Sequence, residues 1–153
     1  MKDIQGGVCA PLGFKAAGIH CGIRKNKSKK DLALIVSDVM CHAASTYTLN
    51  KVKGAPIAVT KQHLLNGEAK AIICNSGNAN TCNPNGEDIA NAVCGLCAKE
   101  LGINENDIIV ASTGVIGQPL DLVPFENHMN ELVQALHSQG SSDACEGIMT
   151  TDT

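Results

Sequence analysis

Residues 108–117 read Ile-Ile-Val-Ala-Ser-Thr-Gly-Val-Ile-Gly, an apolar, β-branched run that stops at Ser112-Thr113-Gly114. A run of that kind, closed by small polar residues and glycine, predicts a buried strand entering a tight turn. Glycine lets backbone come close to a ligand, and successive turn N–H groups can converge on one anionic atom. An oxyanion hole needs such convergence, because its donors must already face the place where negative charge develops. The same residues also suit an ordinary turn at a strand end. Local sequence leaves both readings open.

Three other sets of residues carry chemistry in principle. Segment 75–86 reads Asn-Ser-Gly-Asn-Ala-Asn-Thr-Cys-Asn-Pro-Asn-Gly. Asparagine tolerates left-handed backbone and bonds its own neighbours, which predicts a turn-rich loop; amides this close at a strand end could also line a polar pocket. Cys94 and Cys97 form a Cys-x-x-Cys pair, half of a zinc centre or a redox couple. No second Cys-x-x-Cys or Cys-x-x-His accompanies it, and it lies within a helical pattern, away from the helix start that favours a thiolate. Together with Cys9, Cys21, Cys41, Cys74, Cys82 and Cys145, the pair is read as reduced, small hydrophobic filler, with no metal site expected. His20, His42, His63, His128 and His137 have no ligand spacing to one another.

The elements that must position these residues follow from pattern. The chain has 153 residues, 44% hydrophobic and 18% charged, which fits one globular domain, 1–153, with a core of its own. Aromatics are scarce: Phe14, Phe125 and Tyr47 are all there are. The core must therefore be built from Ile, Leu, Val, Ala and Cys in closely packed layers of sheet and helix. Short strands are predicted at 7–10, 14–18, 19–23 and, most clearly, 31–37, with further strands at 43–49 and 55–59, where Pro56 would be held to an edge or to the strand's start. The basic run 24–30 between two of them reads as the solvated tip of an antiparallel hairpin, not a nucleic-acid patch.

Thr60 caps a predicted helix to about Asn66, ended by Gly67, and 69–74 is a buried strand. Segment 87–101 is a helix with Glu87 and Asp88 in its first turn and Gly102 beyond its end; Ile89, Val93 and Leu96 mark its apolar stripe. Segment 106–111 is the strand described first. A second amphipathic helix spans 122–137, with Val123, Leu132, Val133 and Leu136 as its contacts, and 139–142 breaks it. Segment 148–153 reads as a strand cut off as it begins, which calls for a partner chain or further sequence to complete the sheet. Net charge is −3, no leader opens the chain, and no apolar run spans a bilayer, so the expected setting is the cytoplasm, away from membranes.

Five blocks together, Gly7-Val8-x-Ala10-Pro11-x-Gly13-Phe14, Asp31-Leu32-Ala33-Leu34-Ile35, Asn75-Ser76-Gly77-Asn78-Ala79-Asn80, Ala111-Ser112-Thr113-Gly114-Val115-Ile116-Gly117 and Ile148-Met149-Thr150-Thr151-Asp152-Thr153, resemble the ornithine acetyltransferase family. Its members are also called glutamate N-acetyltransferases. The Asn-Ser-Gly-Asn-Ala-Asn block and the Ser-Thr-Gly-Val-Ile-Gly block are the specific ones. The resemblance implies an α/β fold, a layered helix–sheet–sheet–helix sandwich with mixed sheet, completed by a second (β) chain. It implies an acyltransferase of arginine biosynthesis that moves acetyl from N2-acetyl-L-ornithine to L-glutamate, some members also using acetyl-coenzyme A as a co-substrate, with no bound cofactor.

Family members are made as one precursor that cleaves itself before a threonine, assembling as an α2β2 heterotetramer. The new N-terminal threonine attacks the acetyl carbonyl, its own amine taking the proton, and glutamate's amine later removes the acetyl group. Carried over by position, Thr113 and Gly114 match the oxyanion-hole pair, and Thr150 matches a substrate-contacting threonine, with Thr151 next to it as the alternative. The family's substrate lysine, Met-Ala-Thr junction and nucleophile have no counterpart within these residues. The chain is thus expected to be most of an α chain, active only with its β chain. Two rivals stand beside this reading: a self-processing aminopeptidase of related fold, and a non-catalytic or truncated partner chain.

Overall fold

The two runs that flank the basic segment pair as a hairpin. Strands β1 (Phe14–Ile19) and β2 (Leu32–His42) are antiparallel, with Phe14 opposite Ser37 and Ile19 opposite Leu32. The computed structural model describes residues 4–150. Helix α1 (Ala55–His63) leads to β3 (Glu68–Asn75), antiparallel to β2, with an irregularity between Val36 and Cys41. Helix α2 (Gly86–Leu101) then crosses over to β4 (Ile108–Ser112), which lies parallel to β3. A parallel neighbour demands such a crossover, whereas antiparallel ones do not. The sheet order is β1-β2-β3-β4, and α3 (Val123–Gln134) and α4 (Ser141–Ile148) complete the α/β fold.

Strand alternation divides the sheet into two unlike faces. Ala17, Ile19, Leu32, Leu34, Ala71, Ile73, Ile108 and Val110 face one core, against Val59 of α1, Val93, Cys94 and Cys97 of α2, and Phe125, Met129 and Leu132 of α3. On the other face Ala16 and Ala33 meet Ala144 of α4. Beyond α4 that second face bears Phe14, Ile35, Ile72 and Ile109 around an apolar hollow of about 200 Å³. Ile72 is 38% exposed there.

The helical stripes differ from their predicted centres. On α2 the small residues Ala90, Cys94, Cys97 and Ala98 are buried with Val93, while Ile89, Leu96 and Leu101 lie at the margin. With so few aromatics, close approach of helix to sheet fills the core. On α3 Phe125 and Met129 join Leu132 in the core, and Val123 is half exposed. Cys94 and Cys97 are fully buried, and burial pushes both thiols up to about 12; Cys74 is likewise raised to about 11. Such thiols are hydrophobic groups at neutral pH.

Several predicted strands are absent among the described residues. Gly7–Cys9 is a single 3-10 turn, 43–49 joins no ladder, and 20–23 leaves the sheet at Ile19. Segment 55–59 is the first part of α1, not an edge strand: Pro56 sits in the opening turn, where its missing N–H has no helical partner to lose. The helix predicted from Thr60 is the continuation of α1, followed by a 3-10 turn over Leu64–Asn66. α3 stops at Gln134, and His137 instead bridges Ala16 on the outer edge of β1. Ile148 ends α4 and does not begin a strand; residues 151–153 of that predicted strand lie outside the described residues.

Two side chains of α1 close the free edge of β4. The Thr60 hydroxyl donates to the Val110 carbonyl (2.7 Å) and accepts from the Val110 N–H (3.1 Å), and His63 Nδ1 lies 2.8 Å from the Ile108 carbonyl. A sheet edge is thereby covered by helix instead of being left to pair with another chain. His63 is a structural histidine.

Candidate active site

Because β3 and β4 are parallel and in register from Ala71–Ile108 to Asn75–Ser112, the asparagine-rich loop and the Ser-Thr-Gly turn leave the sheet at the same end. Carboxyl ends of parallel strands are where α/β sheets bind ligands, since the loops there are free to differ. The two loops are joined by backbone. Thr113 N–H donates to Asn75 O (3.0 Å), Val115 N–H to Gly77 O (3.3 Å), and Ala79 N–H to Val115 O (2.9 Å).

The asparagines fasten this junction from within. Asn75 accepts from the Ser112 hydroxyl (2.6 Å) and donates to Asn78 O (2.9 Å). Asn78 donates to Gln118 O (3.0 Å) and Pro119 O (3.3 Å) and accepts from Asn80 N–H (2.8 Å). Asn80, at positive φ, donates to Gly86 O (2.8 Å). All three are buried. Of the two readings open in the sequence, the turn-forming one describes them: their amides are used inside the protein and hold the loop's shape.

Gly114 lies where these two loops are closest. Its φ is +135°, a conformation L side chains rarely adopt. A Cβ there would fall 2.4 Å from Gly77 C and 2.6 Å from Asn78 N. Thr113 and Val115 commit their amides to the asparagine loop, so two successive free N–H groups, as the sequence suggested, are not what this turn offers. Among the described residues no acceptor takes the Gly114 N–H. The donors left at the turn are that N–H and the Thr113 hydroxyl.

The turn opens on a cleft of about 530 Å³ lined by Arg24, Gly77, Thr113, Gly114, Val115 and Thr150. Thr113 and Gly114 thus share one cleft with Thr150, far from them in sequence; Thr151 lies outside the described residues. Thr150 reaches the cleft because the end of α4 is tied down: Ser76 Oγ donates to Gly147 O (2.7 Å) and the Arg24 guanidinium to Met149 O. Arg24, Gly77 and Val115 were not predicted as site residues. Arg24 heads the basic run read as a solvated tip, and only its half-buried position separates it from Lys25 and Lys27, which are exposed.

Arg24 is held in place by Asp31, a fully buried carboxylate just before β2. Asp31 accepts from the N–H groups of Cys21 (2.6 Å), Gly22 (3.2 Å) and Arg24 (2.8 Å), shaping 20–24 into a loop. Its own carbonyl accepts from Ser76 N–H (2.9 Å), at the head of the asparagine loop. Asp31→Ala leaves those amides without their acceptor and is expected to lower stability by about 3 kcal/mol. Urea unfolding of the full-length protein measures this; an unchanged midpoint would show that the loop does not need the carboxylate.

No group of three or more His, Cys, Asp or Glu among the described residues is placed to hold a metal ion. No helix among them is long and apolar enough to cross a membrane.

The sequence model of the ArgJ family matches residues 15–153. The arginine biosynthesis bifunctional protein ArgJ of Symbiobacterium thermophilum is 45% identical over 155 residues, which cover 100% of this chain and 39% of that protein. The protein of the same name from Gloeobacter violaceus is 44% identical, with 97% of this chain and 37% of that one covered. Among solved structures, the arginine biosynthesis bifunctional protein of Bacillus halodurans superposes with a TM-score of 0.90 at 38% identity, over 97% of this chain and 78% of that one. Ornithine acetyltransferase from Mycobacterium tuberculosis, complexed with ornithine, also gives 0.90, at 36% identity over 96% and 80%. The chain therefore spans less than two fifths of the length of the two curated relatives.

Proposed function

The chain belongs to the ArgJ family, and from that premise we propose that it forms most of the α chain of a glutamate N-acetyltransferase that takes acetyl from N2-acetyl-L-ornithine. The observation that carries the proposal is the turn itself: a threonine hydroxyl and a glycine N–H, both unspent by the surrounding ladder, face a cleft that also holds Thr150.

The chemistry runs in two halves. A threonine hydroxyl at the start of a β chain from the same precursor adds to the acetyl carbonyl, and its own amine takes the proton. The carbonyl oxygen becomes an oxyanion, stabilised by the Thr113 hydroxyl and the Gly114 N–H. Collapse of the intermediate breaks the bond to nitrogen and releases ornithine, protonated, leaving an acetyl-threonine ester. Glutamate's α-amine then attacks that ester through a second oxyanion in the same hole, giving acetylglutamate and the free threonine. Thr150 contacts the amino-acid portion of the substrate. Acetyl-coenzyme A serves as an additional acetyl donor, entering at the same ester-forming step.

The β chain also completes the fold in this proposal. The second face of the sheet, with Phe14, Ile35, Ile72 and Ile109 around its hollow, is apolar and only partly covered by α4. Such a face is the surface a second sheet would bury, as in a helix–sheet–sheet–helix sandwich. The assembly is an α2β2 heterotetramer working in the cytoplasm.

The test is intact mass and N-terminal sequencing of the full-length protein, followed by an assay with acetylornithine and glutamate. Two polypeptides, the second beginning with threonine, and one ornithine released per acetylglutamate formed are expected. Hydrolysis of small peptides without acetyl transfer would replace this proposal with a self-processing peptidase. A single, uncleaved and inactive polypeptide would make the chain a non-catalytic partner.

A further inference from the structure

Among the six described residues that line the cleft, Arg24 alone is ionisable. Among the described residues it makes no ion pair, and its guanidinium has one hydrogen bond, to Met149 O. A guanidinium carries five N–H donors in a planar fork that matches a carboxylate. A half-buried cation whose described neighbours in the cleft are small and neutral, and one of whose donors is taken by Met149 O, calls for an anion.

Its distance from the oxyanion turn is set by two glycines. Arg24 lays its aliphatic stem on Gly77, where an added Cβ would fall 2.9 Å from Arg24 Cγ. Gly77 also touches Gly114, whose own Cβ would fall 2.4 Å from Gly77 C. A single residue, Gly77, thus contacts both the arginine stem and the turn that would hold the acetyl oxygen. Asp31 fixes the Arg24 main chain, so the side chain starts from a rigid base.

We infer that Arg24 recognises substrate through its guanidinium, pairing with the α-carboxylate of the amino acid that gives or takes the acetyl group. The inference rests on the acetyl-transfer proposal. In both substrates the acetylated nitrogen sits on the α-carbon, so with the acetyl oxygen in the hole the α-carboxylate is the nearest charge. Both half-reactions present it in the same place. One arginine therefore serves donor and acceptor alike, while the differing side chains point elsewhere.

Full-length Arg24→Gln and Arg24→Lys proteins test this with glutamate and its 1-amide as acetyl acceptors, and with ornithine and ornithinamide in equilibrium binding by calorimetry. The free acids are expected to lose about 10- to 100-fold in kcat/KM, mostly through KM, and in affinity on Arg24→Gln, while the amides change little. The preference for acid over amide therefore collapses, and Arg24→Lys keeps part of it. Equal losses for acid and amide would overturn the inference and leave Arg24 as a strut for Met149. Undiminished discrimination in Arg24→Gln would overturn it too. Should Arg24→Gln fail to fold, Arg24→Lys against wild type carries the same comparison. Failure of the acetyl-transfer proposal shows separately, as wild-type protein that transfers acetyl to neither acceptor, and ornithine binding then still reads Arg24.

Discussion

Thr113→Val in the full-length protein is expected to lower kcat for acetyl transfer about 100- to 1,000-fold, with KM little changed, whereas Thr113→Ser stays within about tenfold of wild type. The contrast follows from hydrogen bonds around the turn. The Thr113 N–H already donates to Asn75 O at 3.0 Å. Whatever Thr113 gives an oxyanion must come from its hydroxyl. Valine keeps the shape and the β-branch of threonine and deletes only that hydroxyl; serine keeps it. A donor used only when charge develops affects kcat more than ground-state binding. The proportion of processed protein should be measured alongside, so that kcat is expressed per processed site. Wild-type kcat in Thr113→Val would remove Thr113 from the hole.

Gly114→Ala is expected to be at least as damaging, for a different reason. At φ +135° an alanine is strained whatever the space around it, and its Cβ would meet Gly77 C at 2.4 Å, Asn78 N at 2.6 Å and Gly77 O at 2.7 Å. Those atoms are backbone, and Asn75, Asn78 and Asn80 hold that backbone by hydrogen bonds, most of them buried. No flexible side chain can give way. Either the turn or the asparagine loop must move by about 1 Å, a displacement that costs on the order of 100-fold in rate when it misplaces catalytic groups. Stability should also fall, by about 1–3 kcal/mol.

Gly117→Ala is the control. Its φ is also positive, at +76°, but a Cβ there has nothing within 4 Å. It should fold and keep activity within several-fold. Equal damage at both positions, read as kcat and melting temperature, would mean that positive φ and not the contact with Gly77 is what matters at Gly114.

What the sequence by itself determined lies where chemistry is local. The β-branched run ending in Ser112-Thr113-Gly114, the glycine at 102 that closes α2, the hairpin across the basic run and the strand at 69–74 are set by residues within a few positions of one another. The resemblance then singled out Thr113, Gly114 and Thr150, which meet in one cleft. Tertiary structure decided the rest, because those outcomes depend on partners far along the chain. Pro56 suits a strand edge or a helix start equally well, and packing of α1 along β4 through Thr60 and His63 selects the helix. Segment 141–148 has too few large apolar residues to announce a helix; its place against Ala16 and Ala33 makes small residues sufficient. Arg24 is one of five basic residues in a row of seven, and nothing nearby in sequence distinguishes it. A buried Asp31 seven residues on and a bare Gly77 beyond it bring it to the cleft. The direction of the Thr113 N–H was equally out of reach of sequence, since the parallel pairing of β3 with β4 decides which donor is spent and which remains.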